Sequence, residues 1–142
     1  KARHKIVFVI FFIFNGIVST NGQEKETYTL IVKISGLKSN KGHILAGVYN
    51  SEIDFLKNEY KGDVVEIKEK RATIIFKNID AGEYAVSFIH DENKNNKMDT
   101  NFFGIPKEDY GCSNNAKKIL GPPKYEDAKF MLSENKTILI GL

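Results

Sequence analysis

The strongest constraint on this chain is a strict two-residue alternation. In Glu83–His90 it sets Tyr84, Val86 and Phe88 on one side of the backbone. Successive side chains of a β-strand point to opposite faces, so an apolar residue at every second position marks a strand with one face in a core. The same pattern runs through Thr27–Ser35, with Tyr28, Leu30, Val32 and Ile34 in phase, and through His43–Tyr49, with Ile44, Ala46 and Val48. Turn residues at 36–42 (Gly36, then Ser39-Asn40-Lys41-Gly42) predict that these two strands form a hairpin. Ser51 and Asp54 stand three apart ahead of Phe55 and Leu56, a short helix-capping pattern. Tyr60–Asp63 is expected to turn the chain. Strands are expected at Val64–Glu69 and Ala72–Lys77, with Ile74 and Phe76 facing the core. A tight connection follows at 78–82. Asn114–Leu120 is expected to carry a short helix, and 128–132 and 137–142 a closing pair of strands about a Ser133–Lys136 turn. About seven short strands separated by turn signals predict an all-β, antiparallel β-sandwich.

The N-terminal part reads differently. Lys1, Arg3 and Lys5 precede an unbroken apolar run, Ile6–Phe14, followed by small and polar residues through Gly22. This is the layout of a secretory signal peptide, and residues 1–22 are expected to be one. An uncleaved N-terminal anchor is the alternative, although the run is short for a bilayer span. Residues 23–142 are then a single domain. The formal net charge is +3, from 21 basic and 18 acidic residues. The signal holds three of the bases and no acid, so the remainder carries 18 of each. The basicity belongs to export, and neither a nucleic-acid nor an anionic-membrane partner is expected. Cys112 is the only cysteine, so no internal disulfide forms; burial as a small apolar residue is the expectation.

From Asp91 to Glu126 neither period persists. Such a long patternless stretch inside a small domain is held by something or disordered, and Phe102, Phe103, Tyr110 and Tyr125 argue against disorder. Its opening places oxygen-bearing side chains at Asp91, Asn93, Asn95 and Asp99, the one-three-five-nine spacing of a calcium loop. Calcium is a hard ion that takes six to eight oxygens, and a loop presents alternate residues to it. The candidate ligands are Asp91, Asn93, Asn95, Lys97 through its backbone carbonyl, and Asp99. Further oxygen is expected from Asn101, Asp109 or a main-chain carbonyl. The sixth position is Asn96, which tolerates a left-handed backbone. The twelfth is Phe102 where an EF-hand has Glu, and the preceding element is a strand, so the loop is not an EF-hand. With two carboxylates, its calcium dissociation constant is expected on the order of 10⁻⁴ to 10⁻³ M. The competing reading is an Asn-rich turn whose side chains bond their own backbone. His90 is the only softer ligand nearby, which disfavours a transition metal. His90, Asp91, Asp99, Glu108 and Asp109 also form a cluster of acid–base residues, but no nucleophile motif accompanies them and Ser113 is not in an elbow sequence.

Two resemblances sharpen these expectations. The unit Phe76, Ile79, Gly82, Tyr84, Val86 resembles a pattern of small Greek-key domains of the prealbumin-like and collagen-adhesin B-repeat type, which implies a Gly turning the chain between sheets and a Tyr entering the core. Residues His90–Asn93, Asp99–Asn101, Gly104-Ile105-Pro106, Glu108, Tyr110-Gly111, Ser113–Ala116, Gly121-Pro122-Pro123 and Glu126–Ala128 are similar to the domain of unknown function 2141 family, over about residues 27–142. The resemblance implies a small exported bacterial protein, in the periplasm or at the cell surface of a Gram-negative species, with no assigned activity. The family pattern has Gly where Asn96 stands and an aromatic where Cys112 stands. The first departure weakens the ion-loop reading, and the second favours packing for Cys112. The reading that follows is a monomeric, prealbumin-like or Ig-like Greek-key sandwich acting as a non-catalytic binding or structural module of the envelope, with a calcium loop and an unidentified partner. No membrane span is expected once the signal is removed. Tyr110, Phe102 and Phe103 are expected to pack the long loop against the domain end or to form a partner surface. The alternatives are a hydrolase using loop carboxylates on a carbohydrate or ester, and a carrier of a small apolar ligand.

Overall fold

The computed structural model describes residues 24–142. The expected signal segment, residues 1–22, lies outside the described residues. The elements are β1 (Thr27–Ser35), β2 (His43–Tyr49), β3 (Lys61–Val65), β4 (Ala72–Asp80), β5 (Gly82–Asp91), β6 (Tyr110–Cys112), a 3₁₀ turn (Ser113–Asn115), α1 (Tyr125–Ala128), β7 (Phe130–Leu132) and β8 (Lys136–Gly141). The protein is mostly β, in two sheets. One has the order β4-β1-β8; the other has the order β3-β2-β5-β6, with β7 paired to the first residues of β5. Every pairing is antiparallel except β1 with β8, which is parallel.

The alternation decides which faces meet. Leu30, Val32 and Ile34 of β1, Ile44, Ala46 and Val48 of β2, Ile74 and Phe76 of β4, and Tyr84, Val86 and Phe88 of β5 are all buried in one core shared by both sheets. Each lies in the phase its sequence predicts. Gly82 and Tyr84 also behave as the resemblance implies: β4 and β5 belong to different sheets with Ala81 alone between them, and the Tyr84 hydroxyl, its ring in the core, donates to the Asp80 carbonyl at 2.9 Å. β5 is buried on both sides. Its outer-face residue Ala85 packs in a second apolar cluster with Phe55, Cys112, Ala116, Tyr125 and Ala128.

Pairing departs from the sequence expectation where partners are distant. β1 and β2 are not a hairpin: β1 lies between β4 and β8, and β2 between β3 and β5. Leu37, buried between them, carries the connection across the core edge. Residues 61–63 belong to β3 rather than to a turn, and β4 continues to Asp80. The last two strands do not pair with each other; β7 joins β5 and β8 joins β1. The helix expected over 114–120 is reduced to the 3₁₀ turn, because Asn114 and Asn115 have φ of 58° and 50°. At 51–56 the capping bonds form, with Ser51 Oγ donating to Asp54 and accepting its N–H, but the segment remains a series of turns. Among the described residues there are eight strands, against about seven expected. Among the described residues no helix is long and apolar enough to cross a membrane, which says nothing of strands.

Phe88 is 1% exposed at the centre of the core. Phe88→Ala is expected to cost about 3–5 kcal/mol by removing a large side chain the surroundings cannot replace. Chemical denaturation would measure this as a lower midpoint with an unchanged slope.

Candidate functional site

β5 ends on Asp91, whose side chain is completely buried. β2 begins beside it, and the approach is so close that a Cβ on Gly42 would lie 1.9 Å from the Asp91 carbonyl oxygen; Gly42 also has φ of +74°. Only glycine fits there. The loop then folds back over the Asp91 carboxylate. The Asn95 N–H donates to Oδ1 at 3.2 Å, the Asn96 N–H to Oδ2 at 2.7 Å, and His43 Nε2 to Oδ2 at 2.9 Å. Lys94 and Asn96 both have φ of 60°, which bends the loop enough to aim these amides inward. Burial pushes the Asp91 carboxyl up, but the donors from Asn96, His43, Asn95 and Lys94 together outweigh it and hold its pKa below the ordinary value.

The other candidate ligands converge beyond this anchor. Asn93 and Asn95 both donate their side-chain amides to the Asp99 carboxylate, Asn95 at 2.8 Å. The Asn93 amide oxygen accepts the Asn95 N–H at 3.0 Å, and the Asn95 amide oxygen accepts the Lys97 N–H at 3.1 Å. Lys97 thus enters through its backbone, and its side chain is exposed. Asp91, Asn93, Asn95 and Asp99 form one network rather than four separate solvated groups. Each amide oxygen is oriented by a loop N–H and keeps one lone pair. The donor set is all oxygen and suits a hard cation. Such an ion would replace the two amide donors now on Asp99.

The loop closes with a residue that the spacing did not single out as a ligand. Glu108 accepts the Glu92 N–H through Oε1 at 3.2 Å and the Asp99 N–H through Oε2 at 3.0 Å, clamping both ends of the turn. Asn101 and Asp109, the other expected oxygen donors, are used elsewhere. Asn101 Oδ1 accepts the N–H groups of Phe103 and Ile105, and Asp109 pairs with Lys38 at 2.8 Å. His90 is 1% exposed and donates from Nε2 to the Lys41 carbonyl at 2.8 Å. Ser113 is fully buried and structural: its Oγ accepts the Val86 N–H at 2.9 Å and donates to the Ala128 carbonyl. Cys112 is buried as expected; burial raises its pKa, while a bond with Ser87 works the other way.

Beside the loop runs a groove of about 1380 Å³ over the outer face of β2, β3 and β5, whose lining residues, Phe103 and Tyr110 apart, the sequence did not single out for a partner. Its floor includes Leu45, Gly47 and Ile89; Met98, Phe103 and Ile105 come from the long loop, and Ile119 and Leu120 from the segment after β6. Phe102 and Phe103 are 96% and 82% exposed, so they do not pack the loop onto the domain end, contrary to one expectation. Tyr49 stands at the groove with its hydroxyl pKa pushed up to about 12, chiefly by burial and then by the Glu59 charge.

The depressed Asp91 pKa carries a sign. Its contribution to stability is complete above the unfolded carboxylate range and is lost as pH falls through the folded value. Asp91→Asn should therefore cost about 2–3 kcal/mol at pH 7. The gap to the parent protein should narrow as the pH falls below about 4, the unfolded range. Urea titrations of both proteins across acid pH would show it, and a gap independent of pH would refute it.

A family model described as "Uncharacterized protein conserved in bacteria (DUF2141)" matches residues 32–139. No curated protein and no solved structure matches the chain. The matched region begins within β1, ends within β8, and contains both sheets, the Asp91–Asp99 loop and the groove. The chain belongs to the DUF2141 family of proteins conserved in bacteria.

Proposed function

We propose that this protein is an exported binding module of the bacterial envelope, a Greek-key sandwich of prealbumin-like kind whose long loop is anchored by calcium. The observation that carries the reading is the meeting of the Asn93 and Asn95 side-chain amides on the Asp99 carboxylate, one turn beyond the buried Asp91. Oxygen-bearing groups placed so closely are suited to surround one hard cation. Asp91, Asn93, Asn95 and Asp99 would offer side-chain oxygens and Lys97 its carbonyl. The ion would screen the loop's carboxylates from one another and fix the segment that carries Met98, Phe103 and Ile105 to the groove. Export is supported by the basic residues and apolar run at the N-terminus. Asp91, Asp99 and Glu108 all accept hydrogen bonds that hold the loop's shape, so a binding role suits them better than acid–base hydrolysis.

Thermal melts with chelator, 10 mM magnesium or 10 mM calcium test the anchor. Calcium at about 100 times its dissociation constant stabilises by about 2.7 kcal/mol. The midpoint should rise on the order of 10 °C for a domain of this size. Magnesium should give a much smaller rise, and Asp99→Ala should abolish the calcium response. A parent protein that melts identically in all three buffers would leave the loop as a self-bonded turn.

A further inference from the structure

The long segment between β5 and α1 carries two turns of similar make. Phe102-Phe103-Gly104-Ile105-Pro106 and Ile119-Leu120-Gly121-Pro122-Pro123 each set an apolar pair before a glycine with positive φ, +77° at Gly104 and +85° at Gly121, with proline one or two residues on. A Cβ on either glycine would find no atom within 4 Å, so both turns project from the domain. Phe102, Phe103, Ile119 and Leu120 are between 82% and 100% exposed. Residues of both turns line the groove, so the two tips stand on one side of the molecule. Hydrogen bonds shape the first tip. Asn101 Oδ1 accepts the N–H groups of Phe103 and Ile105, the Gly104 N–H donates to the Asn101 carbonyl at 3.0 Å, and the Lys107 N–H donates to the Asp99 carbonyl at 2.8 Å. The turn thus holds two phenylalanines away from the core, and apolar groups presented together in this way mark a contact surface.

Charge selects the partner. The charge after residue 22 sums to zero, from which no anionic-membrane partner is expected, but the sum hides an uneven distribution. Between residues 92 and 124 there are four acids, and each is engaged: Glu92 by Ser39, Asp99 by the two asparagines, Glu108 by backbone amides and Asp109 by Lys38. The six lysines of the same segment form no ion pair among the described residues. Lys107 directly follows the first tip, Lys117 and Lys118 directly precede the second, and Lys97 and Lys118 line the groove. The acids that line the groove, Glu59 and Asp63, come from the turn before β3 and from β3 itself. A second copy docking through the same patch would set these lysines against their own counterparts. A rigid protein would need a pocket for each of two separate projections. A bilayer interface needs neither, because apolar side chains enter the boundary between headgroups and acyl chains while lysines meet anionic headgroups. The backbone suits that environment too. The N–H groups of Phe103, Gly104 and Ile105 are bonded within the turn, and Pro106, Pro122 and Pro123 have none to satisfy.

We infer that the protein docks on the surface of an anionic phospholipid bilayer, with Phe102–Phe103 and Ile119–Leu120 seated in the interface and the neighbouring lysines on the headgroups. This rests on the binding-module reading and names its partner as a membrane surface. Two short apolar tips attach weakly by themselves, so the lysines make the attachment selective for anionic lipid. Calcium held at Asp99 would add two positive charges at the root of the first tip.

The test uses the chain from Gln23 onward, which carries every described element and omits the apolar run at 6–14 that would bind lipid by itself. Vesicles are phosphatidylcholine alone or with about 30 mol% phosphatidylglycerol. Cosedimentation should show at least tenfold tighter binding to the mixed vesicles, weakening several-fold as salt is raised. Phe102→Ser with Phe103→Ser, and Ile119→Ser with Leu120→Ser, should each weaken binding at least tenfold; all four positions are exposed, so the melt should not change. Lys107→Glu with Lys118→Glu should erase the preference for phosphatidylglycerol. The chain has no tryptophan, so a single introduced one reports depth. Phe102→Trp and Ile119→Trp should shift their emission to the blue on mixed vesicles and be quenched by lipids brominated in the acyl chain. Leu139→Trp, on β8 of the other sheet and 70% exposed, should do neither. The proposal is overturned if the parent binds no mixed vesicles with or without calcium, which would leave the tips to a protein partner. It is overturned as well if the serine variants bind as tightly as the parent, or if Leu139→Trp responds as Phe102→Trp does. A dimer that excludes vesicles and that the serine variants dissociate would assign the tips to a second copy instead. Calcium should strengthen binding several-fold in the parent and not in Asp99→Ala. Tip-dependent binding that calcium leaves unchanged, with no calcium response in the melt, would remove the calcium anchor and leave the membrane assignment standing.

Discussion

A carboxylate with no solvent exposure is tolerable only if other groups replace the water it has lost, and in this protein that requirement organises everything around the end of β5. Asp91 receives its donors from three directions: the β2 residue His43 and the amides of Asn95 and Asn96 in the following loop. An unpartnered charge at this depth would be strongly destabilising. The loop therefore folds back over it, and β2 runs against β5 so tightly that position 42 accepts only glycine. The start of a patternless segment is fixed by electrostatics rather than by packing.

The consequences pass outward along the chain. With Asp91 capped, Asn93, Asn95 and Asp99 fall into one network, and Glu108 ties the two ends of that turn together. The chain then reaches β6, where three residues pair with β5 beside the core. The following segment is tied down by Ser113, whose hydroxyl links the β5 backbone to the end of α1. Two long stretches with little regular structure are thus held by buried polar bonds at their roots, leaving apolar side chains at their tips exposed along the groove.

A sheet face usually either packs on a core or meets water. The outer face of the β3-β2-β5-β6 sheet does both. Around Ala85 it is covered by Phe55, Tyr125 and Ala128, and around Leu45 and Ile89 it borders the groove. Glycines paired across two strands weaken a sheet unless the space above them is used, and here the side chains of Tyr49 and Glu59 use it.

The sequence by itself determined which residues of each strand face the core, because alternation is a property of the extended backbone and needs no partner. It determined the Tyr84 turn between sheets, the burial of Cys112, and the grouping of Asp91, Asn93, Asn95 and Asp99, since a short loop brings close neighbours together whatever lies around it. Tertiary structure alone decided which strands pair. β1 joined β4 and β8, and β2 joined β3 and β5, although turn chemistry at 36–42 suited a hairpin equally well; sheet membership depends on what packs from far along the chain. It also decided that Glu108 rather than Asn101 or Asp109 completes the loop, because that choice depends on where β6 brings the chain back. The groove floor of Val64, Leu45, Ile89 and Tyr110 is drawn from four strands and has no period in the sequence. Such a site exists only through register, so it became visible only when the strands were set side by side.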